Sequence, residues 1–343
     1  MRLHGFDAAR GILLTLGVVF HALVFVFWYV EASSVGEFLS IVFLHQLLHT
    51  FRMPAFFIIA GFFAMFLIDG RGREVFLRHR LRRITLPFLL FWPLVVSANS
   101  WATNWGKGPD WAAVFPTSDT QHLWFLYFLT LFALITWLGS PLLRKLSNPE
   151  RKLVLTPPLA LLAIITPFIP GVIEREIRTS TQLLFDPGVF LFYFLCYFLG
   201  LLLFLRRDVL LPLVTKRSSI YLGFGLAGFG VFFISQDWGV WFSPLAYSTA
   251  VWFLSAGVIG LFLKVASNEN RALRYLADSS YWVYLVHLPL IFVFLRLGAT
   301  AKLPSWPTAL FAMSATLAIG LVSYQLLVRH TFIGQLLNGT RHK

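Results

Sequence analysis

Cysteine is nearly absent from this chain: Cys196 is the only one among 343 residues. It sits in the apolar run Phe-Leu-Cys-Tyr-Phe-Leu-Gly, so an intramolecular disulfide and a cysteine-ligated metal site are both excluded. Charge is scarce too, at 13% of residues, and acidic charge scarcer still, with 15 Asp and Glu against 28 Lys and Arg. Soluble domains carry about 25% charged residues. With 58% hydrophobic residues, the chain has too little polar surface to cover a globule in water. The net charge of +13 invites a nucleic-acid partner. That partner is excluded by where the cations lie, clustered between apolar runs as the orientation signals of membrane proteins are. No internal repeat, low-complexity tract, glycine-rich nucleotide loop, serine elbow or zinc motif occurs.

What the chain has is hydrophobic length. Ten apolar runs, at about 8–30, 38–68, 84–105, 121–139, 153–173, 187–205, 219–235, 245–266, 280–298 and 305–329, predict an all-α polytopic membrane protein. Of the lysines and arginines, 22 fall on alternate loops that share one side, and only Arg52, Lys107, Arg175, Arg178, Arg296 and Lys302 fall on or towards the other. The positive-inside rule then predicts that both termini are cytoplasmic. Residues 1–32 have the basic start and small residues of a signal peptide. Their apolar run is longer than a usual signal core and carries His21, which fits an uncleaved first span.

The first run sets the expected site. Asp7, Arg10, Leu14, Gly17 and His21 step by three and four, so two charges and an imidazole share one helical face. The eleven residues from Arg10 to His21 make about 1,100° of rotation, within roughly 20° of three turns, and a rise near 16 Å. Such a stripe is too costly to face lipid and predicts a protein interior or wet cavity. The second run, Glu37 to Asp69, is longer than one crossing needs, so it either tilts steeply or breaks; a break is expected at Met53-Pro54, with 38–50 near the outer surface and 54–68 crossing. His45, His49 and Arg52 then converge where the chain re-enters. Arg52 suits an oxyanion or carboxylate. His45 and His49 have metal-ligand spacing, but no third ligand is identifiable.

Other polar groups stand out against the apolar background. Six arginines and no lysine between Arg71 and Arg83 suit phosphate, with Arg78 and Arg82 on one face. His122 opens the fourth crossing. His287, some eight residues into its run, is expected in an inner vestibule rather than beside His21. Trp101, Trp105, Trp111 and Trp124 flank an outer loop at 106–120, as an interfacial belt would, although such rings also stack on sugars.

Taken in order, Asp7-x-x-Arg10-Gly11 with His21, HTFRMPAFFIIAGFF at 49–63, RLRRITLP at 80–87, HLWFL at 122–126 and SYWVYLVHLPL at 280–290 resemble the integral-membrane acyltransferase-3 family over nearly the whole chain. The His-x-Phe-Arg-Met form at 49–53 with HLWFL is most similar to the branch of osmoregulated periplasmic glucan succinyltransferases. The resemblance implies a ten-helix enzyme of one domain, 1–343, in the bacterial inner membrane. It implies transfer of an acyl group, succinyl or acetyl, from cytoplasmic acyl-CoA to a hydroxyl of an extracytoplasmic glucan or other carbohydrate. Acyl-CoA is then a donor substrate, with no permanently bound cofactor. His21 matches the family's essential histidine and Arg10 its companion, while Arg78 and Arg82 match an arginine pair near the CoA phosphates. Unlike some members, the chain has short outer loops and no appended extracytoplasmic domain. Acceptor choice therefore falls to the helix bundle.

These readings combine into one expected site. Asp7, Arg10, His21, His49, Arg52 and His122 serve the chemistry, Arg78, Arg82, Arg83 and His287 hold the donor, and no metal is involved. His21 acts as general base, or carries the acyl group itself. The donor's arm extends up a polar channel along the first helix. The expected partners are the carbohydrate, the acyl-CoA and the bilayer, and a homo-oligomer is compatible with all of this. The alternative from another class is a transporter whose buried charges line a path. It expects matching broken helices in two halves, and the sequence offers one break, at Pro54.

Overall fold

A computed structural model describes residues 4–104, 119–146, 159–169, 177–235 and 242–339. The chain is an all-α polytopic membrane protein, with no strand among the described residues. Among the described residues eight helices are long and apolar enough to cross a bilayer, and a bent pair, α8 (Arg207–Lys216) and α9 (Ser218–Ile234), passes the same test together despite a 65° turn between its halves. The run expected at 153–173 is described only over 159–169, where α6 (Leu159–Ile165) and a following 3-10 turn make a short apolar helix. Of the residues that set the expected topology, Arg2, Lys107, Arg151, Lys152, Arg175, Arg341 and Lys343 lie outside the described residues. So do Trp105, Trp111 and the side chains of Arg144 and Lys145.

The bundle is built around α2 (Val35–Arg71), which packs against α1 (His4–Phe25), α7 (Pro187–Leu205) and α10 (Phe242–Val265). Its start is fixed locally. The Ser34 hydroxyl accepts from the Glu37 amide at 3.1 Å, and the Glu37 carboxylate accepts from the Ser33 amide at 2.7 Å, a reciprocal cap that satisfies helix-end donors. The break expected at Met53-Pro54 does not occur: α2 is one helix of 37 residues with Pro54 inside it. Pro54 removes one backbone hydrogen bond. However, every residue from Arg52 to Phe62 is buried, and packing on all sides keeps the helix continuous through the defect.

Close approach to α7 depends on two glycines. A Cβ on Gly61 would strike the Tyr197 carbonyl, and one on Gly200 would strike the Ile58 carbonyl, so the two backbones lie in direct contact. Around this axis, α11 (Arg271–Thr300) packs between α1 and α12 (Ser305–Ser323) and against α4 (Leu86–Asn104), while α10 carries α6, α8 and α9. Gly11 of α1 lies against the backbone of Ala277, so α1 and α11 run side by side from the same end of the bundle.

That end is the arginine-rich one. It holds α3 (Arg73–Arg80) and the π-turn Leu81–Thr85. The start of α1 and α13 (Phe332–Asn338) meet at a shared cavity, with the Asn338 side chain donating to the Asp278 carbonyl at 2.8 Å. Both described ends of the chain therefore lie on one face, called here the arginine face. On the opposite face, Thr120 donates from its amide and its hydroxyl to the Thr181 carbonyl, each at 2.6 Å, joining the segment before α5 (Trp124–Leu146) to the one before α7.

The glycine contact yields a direct test. Gly200→Leu forces a side chain into the α2–α7 contact, a type of overpacking that costs about 1–3 kcal/mol or more. It should lower the thermal midpoint in detergent by several degrees. Gly230→Leu, at a site where an added Cβ meets nothing within 4 Å, should leave it unchanged.

Candidate active site

Two cavities lie back to back in the bundle. The first, about 630 Å³, opens towards the face opposite the arginines and is lined by His21, His45, His49, Arg52, Asn99, Asp119, Gln121, His122, Thr179, Thr181 and Tyr284 among others. The second, about 570 Å³, lies on the arginine face and is lined by Asp7, Arg10, Leu14, Arg71, His79, Arg80, Arg83, Tyr281 and Tyr284. The α1 stripe runs along both. Asp7, Arg10 and Leu14 face the arginine cavity, Gly17 lies under Arg52, and His21 faces the histidine cavity.

His21, His122 and His287 form one cluster, with ring centroids 4.9 Å apart for His21 and His287 and 4.7 Å for His122 and His287. The vestibule position expected for His287 is corrected: its Nε2 lies 2.9 Å from Nδ1 of His21. The reason is helix length. α11 starts at Arg271, well before the apolar run, so His287 is 16 residues in, about 24 Å. His21 is 17 residues into α1, about 26 Å, and the two parallel helices bring the rings to one depth.

The hydrogen bonds fix the protons of this cluster. A carbonyl oxygen can only accept, so His287 Nδ1 donates to the Tyr284 carbonyl at 2.6 Å and His122 Nε2 donates to the same oxygen at 3.1 Å. His21 Nδ1 lies 2.9 Å from the Gly17 carbonyl and must also be a donor. It therefore shares its proton between that carbonyl and the Nε2 lone pair of His287. In the neutral cluster this leaves one arrangement. Nε2 of His21 carries a lone pair, makes no hydrogen bond among the described residues, and belongs to a part-exposed side chain on the cavity wall. Nδ1 of His122 is likewise a buried lone pair without a partner among them.

Arg52 completes the wall. It is only 7% exposed, with its guanidinium carbon 4.7 Å from the centroid of the Phe20 ring. It makes no ion pair among the described residues, and its Nε is buried without an acceptor. The missing side chain of Gly17 makes the space, since a Cβ there would lie 2.8 Å from Nη1 of Arg52. An unpaired buried cation beside a free imidazole lone pair is equipped to bind an anion or stabilise developing negative charge. His49 is buried on the same wall, its ring 5.2 Å from Phe20.

The structure divides the other sequence-derived candidates. Asp7 and Arg10 form an ion pair at 3.5 Å in the arginine cavity, a separate compartment from the histidines. Arg83 lines that cavity. Arg78 and Arg82 do not, and both are exposed; their places are taken by Arg80 and Arg71, with His79. Phe76 and Ile84 are buried, so the helical face they define, which includes Arg80 and Arg83, turns inward while 78 and 82 turn out. Tyr281 holds this register by donating its hydroxyl to the Arg83 carbonyl at 2.9 Å.

The polar channel expected along α1 is not continuous: Phe125 and Tyr284 line both cavities and stand between them. Trp124 is also corrected, because it is buried at 6% exposure and lines the histidine cavity instead of sitting in an interfacial belt. Sequence reading missed Tyr284, Asn99 and Gln121. Tyr284 stands one turn before His287, and Asn99 is an isolated amide in an apolar run. Gln121 adopts φ +48°, in the left-handed region, directly before His122, and its side chain accepts from Asn99. Among the described residues no three His, Cys, Asp or Glu side chains form a metal-binding group.

The sequence matches the family described as Acyltransferase domain over residues 3–325. The chain belongs to the acyltransferase-3 family. Among curated relatives, a protein named glucans biosynthesis protein C from Salmonella gallinarum is 24% identical over 320 residues, covering 84% of this chain and 82% of that protein. Its namesake from Escherichia coli is 23% identical over 363 residues, covering 97% and 93%. No solved structure matches. By family and by its apolar helices the chain is a membrane acyltransferase.

Because Gly17 makes room for Arg52, replacing either should have the same effect. Arg52→Gln should lower the acyl-transfer rate by about 10²–10³, the usual loss for one oxyanion donor. Gly17→Val should lower it comparably by displacing Nη1. The double variant should be little worse than either single one, as measured by initial rates on protein of verified thermal stability.

Proposed function

We propose that this acyltransferase takes an acyl group from acyl-coenzyme A bound at the arginine face and delivers it to a hydroxyl of a carbohydrate in the histidine cavity. The observation that carries the proposal is the free Nε2 lone pair of His21, set beside an unpaired arginine and backed by a cavity lined with arginines on the other side. The arginine face, with both described ends of the chain, is cytoplasmic by the excess of positive charge on its loops. The other face opens outside a bacterial inner membrane, and residues 1–343 work as one unit. Arg10, Arg71, Arg80 and Arg83 suit the coenzyme's phosphates through planar bidentate donors.

In the reaction, His21 Nε2 takes the hydroxyl proton as the acceptor oxygen attacks the thioester carbonyl. Arg52 stabilises the oxyanion, or binds the free carboxylate of a succinyl donor. The carbon–sulfur bond then breaks, and the proton passes from His21 to the departing thiolate, leaving ester and free thiol. Tyr284 and His287 hold the tautomer that makes His21 a base. A glucan acceptor is supported by the names of the relatives, and a succinyl donor by the Arg52 guanidinium, which suits its free carboxylate. The transporter alternative expects two matching broken helices. α2 is unbroken, and the bend is instead between α8 and α9.

Detergent-purified protein with labelled acetyl- or succinyl-CoA and a glucan mixture should consume thioester only when acceptor is present. His21→Ala should reduce transfer by about 10²–10⁴ with the protein still folded by size exclusion. Substantial residual transfer in that variant would remove His21 from the chemistry. Mass analysis of periplasmic glucans from cells with and without the chain would identify the group transferred.

A further inference from the structure

Phe125 and Tyr284 are the two residues common to the linings of the histidine and arginine cavities. Their rings meet edge to face with centroids 6.0 Å apart, and Phe125 is braced from α2 by Phe56 at 4.7 Å and Phe57 at 5.0 Å. The two cavities thus share a pair of aromatic side chains, and a side chain can move by rotamer change where a backbone segment cannot. We propose that Phe125 and Tyr284 form a gate that the reactive end of the donor must part to reach His21, and that the gate sets the size of the acyl group delivered. The donor's identity rests on the reading above; the barrier itself does not.

Tyr284 is also the anchor of the histidines. Its carbonyl holds His287 and His122, and its hydroxyl donates to the His122 carbonyl at 2.6 Å. Its ring lies 5.3 Å from that of His122 and 5.9 Å from that of His287. The Tyr284 ring therefore cannot swing aside about χ1 without breaking its hydroxyl contact to the backbone of His122. The Phe125 ring has no such tie, so Phe125 is the moving leaf and Tyr284 the fixed jamb. This assigns the two residues different roles. Phe125 governs which acyl groups pass, and Tyr284 is a positioning residue that keeps the base in register while they do.

The barrier can be tested without any donor. In a Cys196→Ala background, Ser100→Cys places a thiol on the histidine-cavity wall. In vesicles of known orientation, a membrane-impermeant thiosulfonate should label it from the opposite face in every variant. From the arginine face it should label slowly with Phe125 present and at least tenfold faster with Phe125→Ala or the milder Phe125→Leu. Equal labelling rates from the arginine face with and without Phe125 would overturn the gate.

Selectivity supplies the second arm. Phe125→Ala should raise kcat/KM for a hexanoyl over an acetyl thioester at least tenfold, and Phe125→Trp should lower it. Unchanged selectivity in both variants would overturn the size filter. Faster labelling in a protein that consumes no acyl-CoA would uphold the barrier and remove the donor assignment instead. Tyr284→Phe should leave labelling from the arginine face slow but lower kcat more than it alters KM, because only the tie to His122 is lost. Faster labelling in that variant would exchange the roles given to the two rings.

Discussion

The structure of this site depends on one backbone carbonyl, that of Tyr284, which accepts from two imidazoles at once. Both bonds are buried inside the bundle, where the low dielectric strengthens them and makes each hard to give up. Accepting from Nδ1 of His287 forces that ring to present a lone pair at Nε2. The lone pair then holds the Nδ1 proton of His21, which leaves the far nitrogen of His21 bare. The orientation of one carbonyl is thus converted, through two rings, into the basicity of an atom on the cavity wall. In enzymes the tautomer of a histidine is commonly set by the hydrogen bond its other ring nitrogen makes. Here the control comes from helix backbone, where a carboxylate would add an uncompensated charge to an already costly environment.

The distribution of charge follows the same logic. Cations cluster at the arginine face, and one further arginine, Arg52, is carried deep into the bundle without an ion-pair partner among the described residues. Burying a cation in this way is unfavourable unless it is hydrogen-bonded, and it persists because the surrounding packing is strong enough to hold it. The run of buried residues from Arg52 to Phe62, and the direct contact of α2 with α7 through Gly61 and Gly200, supply that packing. The aromatic side of Phe20 offers partial compensation. The rigidity of α2 and the availability of Arg52 are therefore two aspects of one arrangement.

Much of the site was legible in the chain because helical periodicity is a local property. The stripe from Asp7 to His21 needs only a 3.6-residue repeat to be read, and its members do line the two cavities in order. Reading failed where depth or facing depended on neighbours. Pro54 looked like a break because the backbone bond it removes is local, whereas the burial that compensates comes from three other helices. Arg78 and Arg82 looked like the phosphate pair because their spacing is regular. The side that turns inward is chosen by Phe76 and Ile84, whose burial has no charge signature. His287 was placed too shallow because the polar first turns of α11, from Arg271, do not register as part of an apolar run.

The sequence by itself determined that the chain is a helical membrane protein, that charge collects at one set of loops, and which ring on the first helix stands above the two charges. These follow from composition and periodicity, which act over a few turns of helix. Only tertiary structure decided that His287 from α11 meets His21, that Arg52 comes to rest over Gly17, and that two aromatic rings divide the interior into two compartments. Each of those joins residues far apart in the chain, and their meeting is set by how helices of particular length and surface shape pack, which no local pattern encodes.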